Sequence, residues 1–468
     1  MGVRFTQVKQ LDTVAAVRAH LATLDVEIPI VDEVDPHGVL ATPVDVVGHD
    51  ARVLRVPNRF AILPMEGWDG TSDGRPTDLV RRRWARFGAS GAGLVWGEAT
   101  AVRVDGRANP NQLVLDGETV EEFAALRALL DPAQVAGIQL THSGRYAAGA
   151  PRTAYAHPLL DGRVGATTAS IFSDDELDEL VDCYADAAVR AHECGFDFVD
   201  IKHCHGYLLH ELLSGFDRPG RYGGDFDGRT NFLRSTVGAI RSRVPDLAVA
   251  VRVSIFDLVP HVAAADGTGI PAVAGPYAYA FGGDGTGLGI DLTEAHAFLA
   301  LCRDLGIGLV STTAGSPYYV PHIQRPAYFP PSDGYAAPED PFVGVARQLS
   351  ATAELARQHP HVAIVGSGYS YLQQWIPHVA QAVIEDDGAS MIGLGRIALS
   401  YPELAADVLS GRSLQTRQIC RTFSDCTTAP RAGLVSGCFP LDPFYKAHPQ
   451  RLELARVKRE TKRSGPGS

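Results

Sequence analysis

Nowhere does the sequence hold about 18 uninterrupted apolar residues, and its first 30 residues carry charges throughout without an apolar central stretch. Neither a membrane-spanning helix nor a secretory leader is expected, and the reading is of a cytoplasmic protein. Positive charge is also short: 42 Lys and Arg stand against 54 Asp and Glu, for a formal net charge of -12. Such a chain has no general attraction for nucleic acid or for an anionic membrane, although a local basic pocket can still hold an anion. Cysteine is sparse and odd in number, seven residues at 183, 194, 204, 302, 420, 426 and 438. That spacing excludes the dense, even framework of a small secreted disulfide scaffold, so free thiols are expected.

What remains is a globular, enzyme-sized composition, 45% hydrophobic and 21% charged over 468 residues, enough for one large decorated barrel or several smaller domains. Residues 1–57 hold one amphipathic helix candidate, Leu11 to Leu24, then an acidic Val- and Pro-containing segment expected to close one end of the main domain. From Asn58 short apolar or β-branched runs alternate with helical patterns, the signature of βα units around a parallel sheet. Eight such runs occur, near residues 60, 93, 135, 196, 247, 307, 361 and 390. Eight strands close a (β/α)8 TIM barrel, and the α/β fold expected is that barrel over 58–410, with 1–57 as an N-terminal extension and 411–468 as a C-terminal appendage. The clearest helix starts at Ser173, where S-D-D-E forms a capping box with Glu176, and runs to Gly195.

The fourth run ends in a burst of titratable groups, FDFVDIKHCHGY over 196–207. Val199 and Ile201 alternate with Asp200 and Lys202, so an apolar pair packed under helices sends the carboxylate and the amine into the barrel, with His203 on the far side from Lys202. His205 and Tyr207 follow at the strand end, where barrel active sites lie. The seventh and eighth runs end in glycines at Gly366, Gly368 and Gly395, beside Arg396. Exposed backbone N–H groups and a cation suit a phosphate there, and the same glycines also suit ordinary turns. Residues 258–290 and 316–341 are long loops leaving strand ends five and six, expected to cover the mouth. The terminal TKRSGPGS is expected to be disordered at its tip.

Six blocks in order, from Asn58 to Pro402, resemble the Old Yellow Enzyme family of FMN-dependent ene reductases. They are NRFAILPM; GRPTDLVRRRWARFGASGAGLVWGEATAV followed by DGR; GIQLTHSGR; FDFVDIKHCHGYLLHELLS with RYGGDFDGRTNFL; VRVS; and IGLGRIALSYP. The resemblance implies FMN across the mouth, with Pro64, Met65 and Ala99 beside the isoalloxazine, Gln139 at its pyrimidine edge and Arg252 near the N1 and C2 carbonyl end. Gly366, Ser367, Gly368, Gly395 and Arg396 would take the phosphate. It further implies NAD(P)H as reductant, a small unsaturated substrate such as an enone, anionic ones included, Tyr207 as proton donor, and His205 as one of two residues on the substrate oxygen. A homo-oligomer is compatible with all of this.

Two residues depart from the family pattern. Lys202 stands where the first histidine of the oxygen-binding pair belongs, where it either serves an anionic oxygen or pairs with Asp200. Glu66 follows Met65 where relatives carry a small or thiol residue. Larger family members also carry a four-cysteine iron-sulfur motif after the barrel. Here Cys420, Cys426 and Cys438 keep three of its positions and Phe423 replaces the second, so a degenerate remnant without an intact cluster is expected and no metal ligand is assigned, a three-thiolate site completed by another group staying open. Two further readings stay open at this point: oxidation of amines by the same flavin, and a flavin-binding protein that has lost catalysis.

Overall fold

The computed structural model describes residues 5–463. Eight parallel strands close a barrel: β1 (Phe60–Ile62), β2 (Leu94–Ala101), β3 (Val135–Thr141), β4 (Phe198–Ile201), β5 (Ala248–Ser254), β6 (Leu309–Thr313), β7 (Ala363–Gly366) and β8 (Met391–Leu394). Each strand pairs with its sequence neighbour and β8 returns to β1, as the eight runs predict.

Alternation along each strand builds two layers. Ala61, Leu94, Trp96, Phe198, Ala250, Leu309 and Val365 pack inside the barrel, whereas Phe60, Val199, Ile201 and Val251 join the helical shell. The interior is tight: Trp96 meets Phe198 edge to face at 5.0 Å, and a Cβ at Gly137 would lie 2.3 Å from the Phe198 ring. The helix Asp174–Glu193 forms with the predicted capping box at Ser173 and Glu176. Its buried stripe includes Leu177, Leu180, Tyr184 and Ala188.

The N-terminal segment folds as a helix, Val14–Thr23, and an antiparallel pair, Val44–Val47 with Val53–Val56. Val44, Val46 and Val56 plug the bottom of the inner layer, which leaves the opposite end open as the mouth. The two long loops divide their roles unlike the expectation. Residues of the loop after β6 line the mouth, but none of 258–290 does. The earlier loop holds a small hairpin, His261–Ala263 with Gly269–Pro271, and spends its backbone donors on the later one, His261 to Tyr319 O at 2.8 Å and Gly269 to Ala336 O at 2.9 Å. It braces the lid.

The C-terminal segment is stitched to barrel and lid alike. Buried Asp442 accepts from Arg82 at 2.9 Å and Arg86 at 2.8 Å on the helix Asp78–Gly88, and Ser424 donates to Phe329 O at 2.6 Å in the loop after β6. The last helix, Gln450–Arg463, carries regular backbone into the start of TKRSGPGS, and the expected disorder of its tip concerns residues outside those described. Among the described residues no helix is long and apolar enough to cross a membrane.

Candidate active site

An open cavity occupies the mouth. Pro64, Met65, Ala99, Gln139, Lys202, His205, Tyr207, Arg252, Ser367, Gly368, Gly395 and Arg396 all line it. Gly366 does not: it is the last residue of β7, and a Cβ there would meet the Tyr369 hydroxyl at 2.8 Å, so its small size serves packing behind the mouth.

Local structure explains how these side chains arrive. A register shift in β2 between Gly97 and Ala99 turns Ala99 to the cavity and sends Glu98 outward, onto Arg83 at 2.9 Å. Arg83 also grips Asp69 through both Nη atoms, and Glu98 takes the Gly67 N–H at 3.2 Å. This buried network fixes the loop that presents Glu66. His205 sits at φ +69°, a left-handed conformation that non-glycine residues adopt only when neighbours hold them there. Ser254 accepts its N–H at 3.2 Å and Ser316 donates to its carbonyl at 2.8 Å.

Asp200 and Lys202 both face inward, as the alternation predicts, but they do not pair. The Asp200 carboxylate accepts from Trp96 Nε1 at 2.8 Å, from the Gln139 amide and from the Arg252 backbone N–H at 2.7 Å. Burial holds its pKa up, at about 6. Lys202 Nζ instead lies 3.6 Å from Glu66 Oε2 and 3.7 Å from the centre of the Tyr207 ring. Glu66 also accepts from Trp68 Nε1 and from the Tyr207 hydroxyl, the latter at 3.0 and 3.2 Å. The Tyr207 and Tyr318 hydroxyls are 3.0 Å apart. Burial, then the Glu66 charge, pushes the Tyr207 phenol well above its ordinary pKa.

His205 Nε2 approaches Gln324 Nε2 at 3.2 Å and Thr313 Oγ1 at 3.4 Å. Burial and the charges of Arg252 and Lys202 keep its imidazole neutral. His203 turns to the helical shell, its Nδ1 on Ile201 O at 2.7 Å and its ring against Phe298. Arg252 reaches Pro64 O and Ser367 Oγ at 3.4 Å each, and Arg396 donates to Pro326 O at 2.9 Å. Arg252 Nε and Arg396 Nη1 are buried without a hydrogen-bond partner.

Tyr318, Gln324 and Arg325 from the lid, Trp68, and Cys426, Thr427 and Arg431 from the C-terminal segment also line it. Sequence reasoning missed them because they stand on loops and on two short helices, Pro321–Gln324 and Asp425–Arg431, too brief for periodicity to mark which side chain turns inward; the density of Pro and Tyr over 316–341 was the available signal. The segment holding Cys420, Cys426 and Cys438 keeps three free thiols, and Phe423 stacks on Phe329 with centroids 5.4 Å apart. Among the described residues no group of three or more His, Cys, Asp or Glu could hold a metal ion.

The NADH:flavin oxidoreductase / NADH oxidase family matches residues 50–270. An NADPH dehydrogenase of Bacillus pumilus is 35% identical over 388 residues, 79% of this chain and 96% of that protein. Among solved structures, the old yellow enzyme homologue from Zymomonas mobilis is similar with a TM-score of 0.56 at 21% identity, over 80% of this chain and 94% of that one. Histamine dehydrogenase from Rhizobium sp. 4-9 gives a TM-score of 0.64 at 19% identity, over 88% of this chain but only 53% of that one. Both structural likenesses concern the fold.

Proposed function

The chain belongs to the NADH:flavin oxidoreductase / NADH oxidase family, and from that premise we propose that it reduces activated C=C bonds with Tyr207 as the proton donor. At the coarser level it is an NAD(P)H-dependent flavin oxidoreductase whose cofactor is FMN.

The residues present suit that cofactor. Buried, unpartnered donors on Arg252 and Arg396 call for an acceptor in the cavity. Pro64, Met65 and Ala99 would flank the ring system and Gln139 and Arg252 would face its polar edge, a fixed guanidinium suiting the charge of a reduced flavin. Ser367, Gly368, Gly395 and Arg396 would hold the phosphate. When bound, FMN passes hydride between the nicotinamide and the substrate.

The chain's own side chains would manage the proton and the oxygen. Tyr207, kept protonated by burial and by Glu66, holds the proton that the substrate α-carbon takes. Lys202 over the ring face would stabilise the negative charge Tyr207 acquires as that proton leaves. His205 would hold the substrate oxygen through its neutral imidazole.

The Glu66–Lys202 pair carries the choice of reaction. Among the described residues lining the cavity Glu66 is the only carboxylate, against Lys202 and the guanidiniums of Arg83, Arg252, Arg325, Arg396 and Arg431. Lys202 already occupies the place a substrate ammonium would need beside Glu66, over an aromatic face. A neutral or anionic unsaturated substrate therefore fits better than an amine. A decayed binding protein would have no use for Tyr207, His205 and Arg252 converging on one cavity. Steady-state assays separate these readings: NADPH or NADH oxidation with a cyclic enone or an unsaturated acid is expected, without turnover of amines in the presence of an electron acceptor. Amine turnover without enone turnover would overturn the proposal.

A further inference from the structure

Arg325 follows the short helix Pro321–Gln324 in the loop after β6. One Nη donates to Thr427 Oγ1 of the C-terminal segment at 2.6 Å, while Nε and the other Nη are buried without a partner. Arg396 reaches the same side of the cavity from the end of β8, with its own Nη1 unpartnered. Arg431 adds a third guanidinium, and it is satisfied: it holds Asp333 at 3.0 and 3.2 Å and Pro317 O at 2.9 Å. Burial, then the like charges of Arg431 and Arg396, pull the Arg325 pKa down.

A buried guanidinium set between two others, with two donors empty, costs folding free energy. Asp333 is spent on Arg431, and the nearby Cys426 thiol is held neutral by burial. The arrangement becomes favourable only with an anion that accepts from Arg325 and Arg396 together, and the fork geometry of guanidinium suits phosphate oxygens.

We propose that Arg325 is a lid-borne binding residue for a phosphate monoester, which it holds jointly with Arg396. The proposal rests on the flavin reading, and it deepens that reading by adding a ligand from outside the barrel strands. Two cofactor phosphates share this chemistry, the 5′-phosphate of FMN and the 2′-phosphate of NADPH. Because Arg325 is tied to Thr427 and Arg431 ties the same segment to Pro317, phosphate bound here would fasten lid and C-terminal segment across the cavity.

The test uses full-length wild-type, Arg325→Gln and Arg325→Lys proteins. Apo-protein is titrated with FMN and with riboflavin, which lacks the phosphate, by flavin fluorescence. The FMN-reconstituted protein is then bleached anaerobically with NADPH and with NADH. If the flavin phosphate is the ligand, Arg325→Gln weakens FMN roughly 10- to 100-fold, leaves riboflavin within about 2-fold, and Arg325→Lys recovers part of the loss. If the nicotinamide phosphate is the ligand, both flavins bind as in wild type and half-saturation rises about 10-fold for NADPH but not for NADH. In either case apo Arg325→Gln melts at or above apo wild type, because an unpaired buried charge has gone. Equal losses for FMN and riboflavin with a lower apo melting temperature would mark a structural residue and overturn the proposal, as would no change for any of the four ligands. Wild-type protein that binds neither flavin would defeat the proposed function itself.

Discussion

Lys202 Nζ lies 3.6 Å from Glu66 Oε2, so the two positions that depart from the family pattern are partners of one another. Lysine in place of histidine puts an amine into a buried strand end; glutamate in the loop after β1 faces it. The side chains are 3% and 13% exposed, which is buried enough that neither charge is well solvated alone. Tyr207 links them, its hydroxyl on Glu66 and its ring under Lys202.

Removing one member should therefore cost more than removing both. Lys202→Met and Glu66→Gln are each expected to destabilise the apo-protein by roughly 3 kcal/mol in urea unfolding, and the double variant by less than either. Additive losses would mean that the two side chains do not interact. The same variants bear on substrate choice: if Lys202→Met abolishes binding of anionic substrates alone, Lys202 serves the substrate rather than Glu66 and Tyr207.

A second expectation concerns pH. Burial holds Asp200 at about 6, above the roughly 3.9 of an unfolded aspartate, so between those values the folded state binds more protons than the unfolded one. Its contribution to stability is then largest below about pH 4 and falls as pH rises towards 6, by up to about 3 kcal/mol. Asp200→Asn should lose that segment of the pH dependence. A wild-type curve minus Asp200→Asn curve that is flat across this window would contradict the assignment.

The barrel was legible because its evidence is periodic. Eight apolar runs and the Ser173 capping box survive translation into strands and a helix, and alternation at 199–202 put Asp200 and Lys202 on the inner face. Partner choice was not legible. Glu66 and Lys202 stand 136 positions apart in the chain, and nothing local distinguishes a lysine aimed at Glu66 from one aimed at Asp200. Gly366 reads like Gly368 in sequence, yet strand register turns one onto Tyr369 and the other to the cavity. The role of Arg325 depends on two loops meeting, and that is set by tertiary packing alone.

The C-terminal segment gives a third prediction. Asp442 is buried beneath Arg82 and Arg86, and Asp442→Asn leaves those guanidiniums without their carboxylate. Faster proteolytic cleavage and hydrogen exchange are expected within 411–463, with barrel strands protected as before. Unchanged exchange there would show that the lid contacts alone hold the segment.

Phe423 stands where a fourth thiolate would be needed, with its ring packed on Phe329. Anaerobically purified protein is expected to lack stoichiometric iron and acid-labile sulfide. Finding both would place a cluster on Cys420, Cys426 and Cys438 with a further ligand.

The central claim is that this cavity reduces a C=C bond with Tyr207 as acid, and stopped-flow separation of the two half-reactions tests it most directly. Wild-type and Tyr207→Phe proteins are loaded with FMN, reduced anaerobically with NADPH, and mixed with a cyclic enone. Flavin reduction should be nearly equal in the two proteins, while reoxidation by the enone should slow about 10²- to 10⁴-fold in Tyr207→Phe. Equal slowing of both steps, or reoxidation that does not depend on Tyr207, would contradict the account.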